Sequence, residues 1–370
     1  MTVGFYSPLP PARSGVAAYA AGLLAALRRL GDVKTKGGGR VDVRLYHLGN
    51  NQLHRPFYEQ AMAEPGVVVL HDAVLQHFYL GSMDEAEYIN EFVFNYGEWE
   101  RDAATDYYRN RAASGMDWRY FTKPMLRRLA ERSIAVVVHN PAAARMVLDH
   151  NPRANVVEIA HYYDCPFPPQ PDARARTRIA WAADERTCVF GVFGYLRESK
   201  RLQTIVRAFV RLHAEYADTR LIVAGDFSSP DLGKAIGPLL AHSGIRVYPH
   251  LPESDFWRVA DAVDCCLNLR YPSAGETSGI GVRLMGLGKA VCFTDGDEVR
   301  NLPKAGCIRI SPGLEETEEL FENMKITVKF PEIRRAIGMR AAAHVRDFHG
   351  LERVAGQYWK TLCAFRESSR

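Results

Sequence analysis

Two stretches carry the residue types best suited to chemistry, and each follows an apolar run of strand type. The first is FGYLRESKR, residues 193–201. Gly194 is followed there by three cations, Arg197, Lys200 and Arg201, between a strand and a helix, where guanidinium and ammonium groups can clamp phosphate oxygens. The second is DCCLNLRYPSAGETSGIGVRLMGLGKAVCFTD, residues 264–295, which reads as strand, loop, helix, strand. Its loop of small residues, 274–279, precedes a helix to about Leu287, with Thr277 or Ser278 as the N-cap. Unpaired amides at the start of such a helix, around Ser278, Gly279 and Ile280, bind an anion such as a diphosphate. Glu276 at the same mouth offers a carboxylate to hydroxyl groups. A carboxylate beside a phosphate cradle suits a sugar nucleotide. Each stretch also has a plainer reading: such turns occur throughout doubly wound sheets, a Glu before a helix is favoured by the dipole, and cations in a turn are commonly solvated.

Two further places hold candidate groups. Gly15 opens the first helix after the first strand, a position where ligands approach in doubly wound folds, although it is also a good turn residue. No GxGxxG fingerprint is present. The strand 66–70 ends in His71-Asp72, at the strand end where ligands of open α/β sheets bind. The competing reading is that Asp72 caps a helix over 73–80 while His71 packs.

These groups need elements to hold them. Short apolar runs at 2–6, 41–48, 66–70, 134–138 and 156–160 alternate with helical patterns, and so do runs at 188–193, 220–224, 246–248, 263–269, 290–294 and 307–310. Residues 85–132 read as helical and rich in aromatics, an arrangement more typical of core than of an acceptor site. Helices are also expected at 254–262 with a Ser cap, from Glu315, near 331–348 and at 351–365. Between the halves, 161–172 contains four prolines in the six positions 166–171, which suits neither sheet nor helix interior. The predicted organisation is α/β: a first domain over 1–163, a second over 164–351, and a final helix, about 352–370, crossing back to the first. A hinge of this kind leaves a cleft where a ligand binds.

Composition narrows the class. A chain of 370 residues exceeds the roughly 250–300 at which single cores stop growing, so two domains are expected. Apolar content of 47% and a net charge of +4 fit a globular protein and give no footprint for nucleic acid. Seven scattered cysteines without zinc spacing suggest reduced thiols in the cytosol. No apolar run is long enough to span a bilayer. The cationic segment 123–132 reads as a solvated helix face, with peripheral contact at the inner membrane as its alternative.

The Ser14-Gly15-Val16 loop, the His71-Asp72 strand end, the Gly194 to Lys200 loop and Gly275-Glu276-Thr277-Ser278-Gly279 together resemble a retaining glycosyltransferase of the GT-B fold, family-4 type (glycosyl transferases group 1), across essentially the whole chain. The resemblance implies two Rossmann-like doubly wound domains facing a cleft. It implies a hexosyltransferase-type reaction: a sugar passes from a nucleotide diphosphate sugar to a saccharide, lipid-linked or small-molecule acceptor with retention; the cation clamp in place of a carboxylate cage suggests that no metal or other cofactor is required. Lys200 matches the family's donor-binding Lys. Tyr195 stands where its Arg would be, with Arg197 as the replacement. Glu276 matches the first Glu of the Glu-x7-Glu motif, and Gly15 and His71 match the glycine and histidine of the N-terminal domain. The implied set is His71, Asp72 and Glu276 for catalysis, and Gly15, Arg197, Lys200, Arg201, Thr277, Ser278, Gly279 and Ile280 for the donor. The chain departs from the family at the second Glu, which falls on Leu284, a position that reads as helix packing. A nucleotide-sugar-binding subunit without turnover and a sugar-nucleotide epimerase of the same fold are the rival expectations.

Overall fold

The structure, a computed structural model, describes residues 1–12, 14–35 and 40–366. The described residues form two sheets, both six-stranded and both parallel throughout. The first contains β1 (Thr2–Tyr6), β2 (Asp32–Lys34), β3 (Val43–Leu48), β4 (Val67–Leu70), β5 (Ala135–Val138) and β6 (Val156–Glu158), in the order β2-β1-β3-β4-β5-β6. The second contains β7 (Cys188–Phe193), β8 (Thr219–Ala224), β9 (Ile245–Tyr248), β10 (Cys265–Asn268), β11 (Ala290–Thr294) and β12 (Ile308–Ile310), in the order β12-β11-β10-β7-β8-β9. Helices follow the strands in sequence, so each sheet is covered on both faces and each has a core on either side. That is why the central strands are unbroken apolar runs: all of β4, β5 and β7 is buried. The edges β6 and β9 are the wetter strands.

The chain divides into two compact units. One comprises Met1–Tyr162, Pro272–Thr277 and Gly350–Arg370, and the other Tyr163–Tyr271 and Ser278–His349. The last helix, Leu351–Phe365, belongs to the first unit and packs on the helix Gly15–Leu30. Tyr19 and Tyr358 join hydroxyls at 3.0 Å across that contact, and Arg29 pairs with Glu352 at 2.5 Å. Residues 367–370, included in the span expected for this helix, lie outside the described residues. The grouping of Pro272–Thr277 differs from the sequence expectation, which places them in the second domain by chain order.

Several local expectations are corrected. No helix begins at 73: the helix is Gln76–Ser82, because the amides of Ala73 and Val74 both donate to the carbonyl of Ala274, at 2.7 and 3.0 Å. Asp72 is therefore not the cap of that helix, whose N-cap is Leu75; its Oδ2 accepts from the amide of Asn50 at 2.9 Å. The stretch 85–132 is three helices, Glu85–Tyr96, Arg101–Arg109 and Arg127–Arg132, with 3₁₀ turns between. Gly97, at φ 101°, ends the first of them, and Met125, at φ 58°, precedes the last. The helix Glu253–Ala262 starts after Pro252 and has no Ser cap. The strand Asp32–Lys34, three residues after the first helix, carries too little pattern to be read from sequence. Among the described residues no helix is long and apolar enough to cross a membrane.

Candidate functional site

In the second unit the sheet order turns around its first strand. β7 has β8 on one side and β10 on the other, and the loops after β7 and β10 flank that switch point at the carboxyl ends, where open α/β sheets bind ligands. The loops are tied together by the Tyr271 amide, which donates to the Ser199 carbonyl at 2.7 Å. The chain leaves β7 through Gly194 at φ 84°, a left-handed conformation suited to glycine. A Cβ there would stand 3.4 Å from Lys200 Nζ and 3.4 Å from Ile280 Cγ1. The ammonium of Lys200 and the side chain of Ile280, in the first turn of the helix Gly279–Gly286, therefore both approach one point over Gly194. Lys200 is only 8% exposed, and its ammonium donates to the Phe193 carbonyl, which aims it along the end of the strand.

Ser278 is the cap of that helix. Its Oγ accepts from the Gly281 amide at 3.1 Å and donates to Asn268 Oδ1 at 3.1 Å, so the serine is held at the end of β10. The amides of Gly279 and Ile280 have no hydrogen-bond partner among the described residues, which leaves two donors at the start of the helix. With the Lys200 ammonium they form an electropositive cradle at the carboxyl ends of β7 and β10, a setting that suits a phosphate group. Arg197 is exposed, with its guanidinium 5.9 Å from the ring of Tyr195. Arg201 is not part of the cradle. Its backbone turns left-handed at φ 56°, and its guanidinium pairs with Glu316 at 2.5 Å, a carboxylate 1% exposed in the helix Glu316–Lys329. Leu284 is wholly buried in the core beneath the sheet, so the helix presents no polar group at that position.

The first unit holds the other candidates. Gly275, at φ 72°, brings the loop 272–277 against the end of β4, where a Cβ on it would lie 2.8 Å from that of Ala73. Asn140, 2% exposed after β5, fixes the loop from the other side: its Nδ2 donates to the Gly275 carbonyl and to Thr277 Oγ1, each at 2.9 Å. The same amide's Oδ1 caps the helix Pro141–His150 through the Ala143 amide. Glu276 Oε2 accepts from the Ala274 amide at 2.7 Å and from Ser273 Oγ at 3.3 Å, which holds the carboxylate over its own loop. Sequence reading passed over Asn140. The strand-end triplet His139-Asn140-Pro141 was its signal, since an Asn before a Pro is a helix start.

His71 lies in a nest of rings rather than alone beside Asp72. Its Nε2 is 3.0 Å from His47 Nδ1, and the rings of Tyr19 and His139 are 5.0 and 5.2 Å away. Burial, followed by the mutual repulsion of the neighbouring histidines, holds His71 and His47 well below the ordinary histidine range. Burial takes His54 to about 4. Among the described residues no three His, Cys, Asp or Glu side chains are grouped to hold a metal ion. Gly15 is exposed, and a Cβ on it would meet nothing within 4 Å. The cations of 123–132 have partners nearby: Lys123 pairs with Glu100 at 3.0 Å, Arg127 with Glu131 at 2.8 Å and Arg128 with Glu91 at 2.5 Å.

Neither a family model nor a curated protein matches the sequence. Solved structures do match the fold. Sucrose-phosphate synthase from Thermosynechococcus elongatus superposes with a TM-score of 0.68 at 13% identity, covering 98% of this chain and 99% of that one. HepE of Anabaena, in complex with UDP-glucose, gives 0.66 at 13% identity over 98% and 100% of the two chains. WaaG, a glycosyltransferase involved in lipopolysaccharide biosynthesis, gives 0.61 at 13% identity over 97% and 99%. With its two parallel six-stranded sheets and their flanking helices, this chain has the GT-B fold of glycosyltransferases.

Proposed function

We propose that this chain transfers a sugar from a nucleotide diphosphate sugar to an acceptor hydroxyl with retention of anomeric configuration. The observation that carries the reading is the approach of the Lys200 ammonium and of Ile280 to one point over Gly194, Ile280 belonging to a helix turn whose Gly279 and Ile280 amides are unpartnered among the described residues. Breaking the bond between sugar and diphosphate leaves growing negative charge on the phosphate oxygens. A cationic amine and fixed amide dipoles stabilise that charge without reorganising, which is the usual source of a large electrostatic contribution. The cradle supplies the balancing positive charge, and we assign no metal to the reaction. Arg197 adds a second, exposed cation on the same loop. Glu276, two residues before the cap Ser278, orients the sugar through its hydroxyls. His71, with Asp72 beside it, contacts the sugar or the acceptor. No nucleophile paired with a base is assigned, and leaving group and acceptor share one face of the sugar. The likeness in fold to a protein solved with UDP-glucose supports a nucleotide sugar as donor. The acceptor is a saccharide, a lipid-linked glycan or a small molecule, and the site of action is cytoplasmic, with peripheral contact at the inner membrane as the variant for a lipid-linked acceptor.

One observation favours a second reading, a sugar-nucleotide-binding subunit without turnover. Leu284 is buried, so the helix lacks the second carboxylate of the group-1 motif. A single experiment separates the two. Thermal shift with UDP, GDP, ADP and CDP identifies the nucleotide, and the matching labelled nucleotide sugar is then incubated with and without candidate acceptors. Transfer, or slow donor hydrolysis lost in Lys200→Ala and Glu276→Ala, supports glycosyl transfer. A thermal shift without turnover supports the binding subunit. Isomerised donor in the absence of acceptor would make the chain an epimerase, and no shift with any nucleotide would overturn all three.

A further inference from the structure

We infer that His47 is a positioning residue that fixes the ring proton of His71 on Nδ1, so that His71 meets its ligand as a hydrogen-bond donor and not as a base. The inference rests on the reading of His71 as a ligand-contacting residue. It decides between the two roles such a histidine can play.

His47 is fully buried on β3, and its Nδ1 lies 3.0 Å from His71 Nε2, so one of these nitrogens must donate and the other accept. His47 Nε2 is buried and has no hydrogen-bond partner. A neutral His47 carries one proton. On Nε2 that proton would be a buried donor with nothing to receive it, at the full cost of its desolvation; on Nδ1 it is used, and only a lone pair is left bare. His47 Nδ1 therefore donates, His71 Nε2 accepts, and the proton of a neutral His71 is left on its Nδ1. Both rings are kept neutral, first by burial and then by neighbouring histidines, His139 foremost.

The surrounding groups leave the assignment unopposed. His54 Nδ1 donates to the His47 carbonyl at 3.0 Å, and His139 Nδ1 donates to the Ile159 carbonyl at 2.9 Å, so both neighbours are Nδ1–H tautomers. The Tyr19 hydroxyl is engaged with Tyr358 at 3.0 Å. Asp72 Oδ2 accepts from the Asn50 amide. His71 Nδ1 has no hydrogen bond among the described residues, and the residue as a whole keeps some exposure although its ring is desolvated. With its one lone pair already engaged by His47, His71 has none left to take a proton from an acceptor hydroxyl. It has an N–H to offer a hydroxyl or phosphate oxygen.

The test is ring-nitrogen NMR on the full chain labelled with ¹⁵N-histidine, His71 being assigned by its loss in His71→Gln. The expected spectrum shows His71 protonated on Nδ1 and bare on Nε2. In His47→Phe, which keeps a ring against Phe5, the proton becomes free to move to Nε2. In His47→Asn, whose amide can donate from the place of Nδ1, the Nδ1–H form is kept. Donor turnover is expected to fall by about 10- to 100-fold in the Phe variant, chiefly in kcat, and to recover to within a few-fold in the Asn variant, as for other outer partners of a functional histidine. Wild-type His71 protonated on Nε2, or a tautomer unmoved in the Phe variant, overturns the inference whatever the enzyme does. An Nδ1–H tautomer in a protein that turns over no donor overturns the proposed function and leaves the role of His47 standing.

Discussion

Lys200 and Arg201 are neighbours of like charge with opposite assignments, and the backbone separates them. Lys200 ends a 3₁₀ turn with its ammonium at the end of β7, whereas Arg201, left-handed, points into the helix Glu316–Lys329. Two variants should therefore behave differently. Lys200→Ala should lose roughly 100-fold in donor turnover, by analogy with the removal of one preorganised donor, and should blunt the thermal shift produced by the cognate nucleoside diphosphate. Arg201→Ala should leave that shift in place and lower stability by about 2 kcal/mol, because it strands Glu316, whose Oε1 already has no partner. Urea midpoints and nucleotide titrations on the two proteins check both statements; equal loss of nucleotide binding would return Arg201 to the site. The sequence showed three cations in a turn, which was enough to suspect a phosphate. It could not show which one is directed inward, since that depends on one positive φ and on a carboxylate 115 positions further along the chain.

At the scale of elements, the loop 272–277 depends on partners remote in sequence. Asn140 both starts the helix Pro141–His150 and holds Gly275 and Thr277. Asn140→Ala should cost about 1–2 kcal/mol as a lost cap with its side-chain bonds. It should also reduce turnover by releasing Glu276, an effect that a cap change confined to the helix would not produce. Gly275→Ala should destabilise by the order of 1–3 kcal/mol, since it combines a left-handed φ with a Cβ against Ala73. A Gly275→Ala protein with unchanged urea midpoint would contradict the geometry. The same non-local bonding explains which elements were legible. Strands such as β7 and β11 could be read because burial on both faces leaves an unbroken apolar run between turn residues. The helix expected at 73 could not be corrected, because the carbonyl that captures its first amides belongs to Ala274. Ser278 as a cap was legible, since a capping side chain acts within three residues of itself.

For the whole molecule, buried histidines make the first unit sensitive to acid. His54 titrates at about 4 when folded, against about 6.5 when unfolded, and His47 and His71 are likewise depressed. Above the unfolded value neither state is protonated there, and these groups leave stability unchanged. Below it the unfolded chain binds protons that the folded chain refuses, so stability falls as pH drops from about 6.5 towards 4, by the order of 3 kcal/mol from His54 alone. The urea midpoint should be level from pH 7 to 8 and decline steadily below 6.5, with a shallower decline in His54→Gln. A midpoint equal at pH 5 and pH 7.5 would mean that these rings are solvated.

Leu284 sets a limit of another kind. Its side chain is sealed among apolar neighbours under the second sheet, so a glutamate written in at that position would enter hydrocarbon, where an unpaired carboxylate takes up a proton or unfolds its host. Giving this helix a carboxylate at that position is accordingly a matter of redesigning a core, and no single codon will do it.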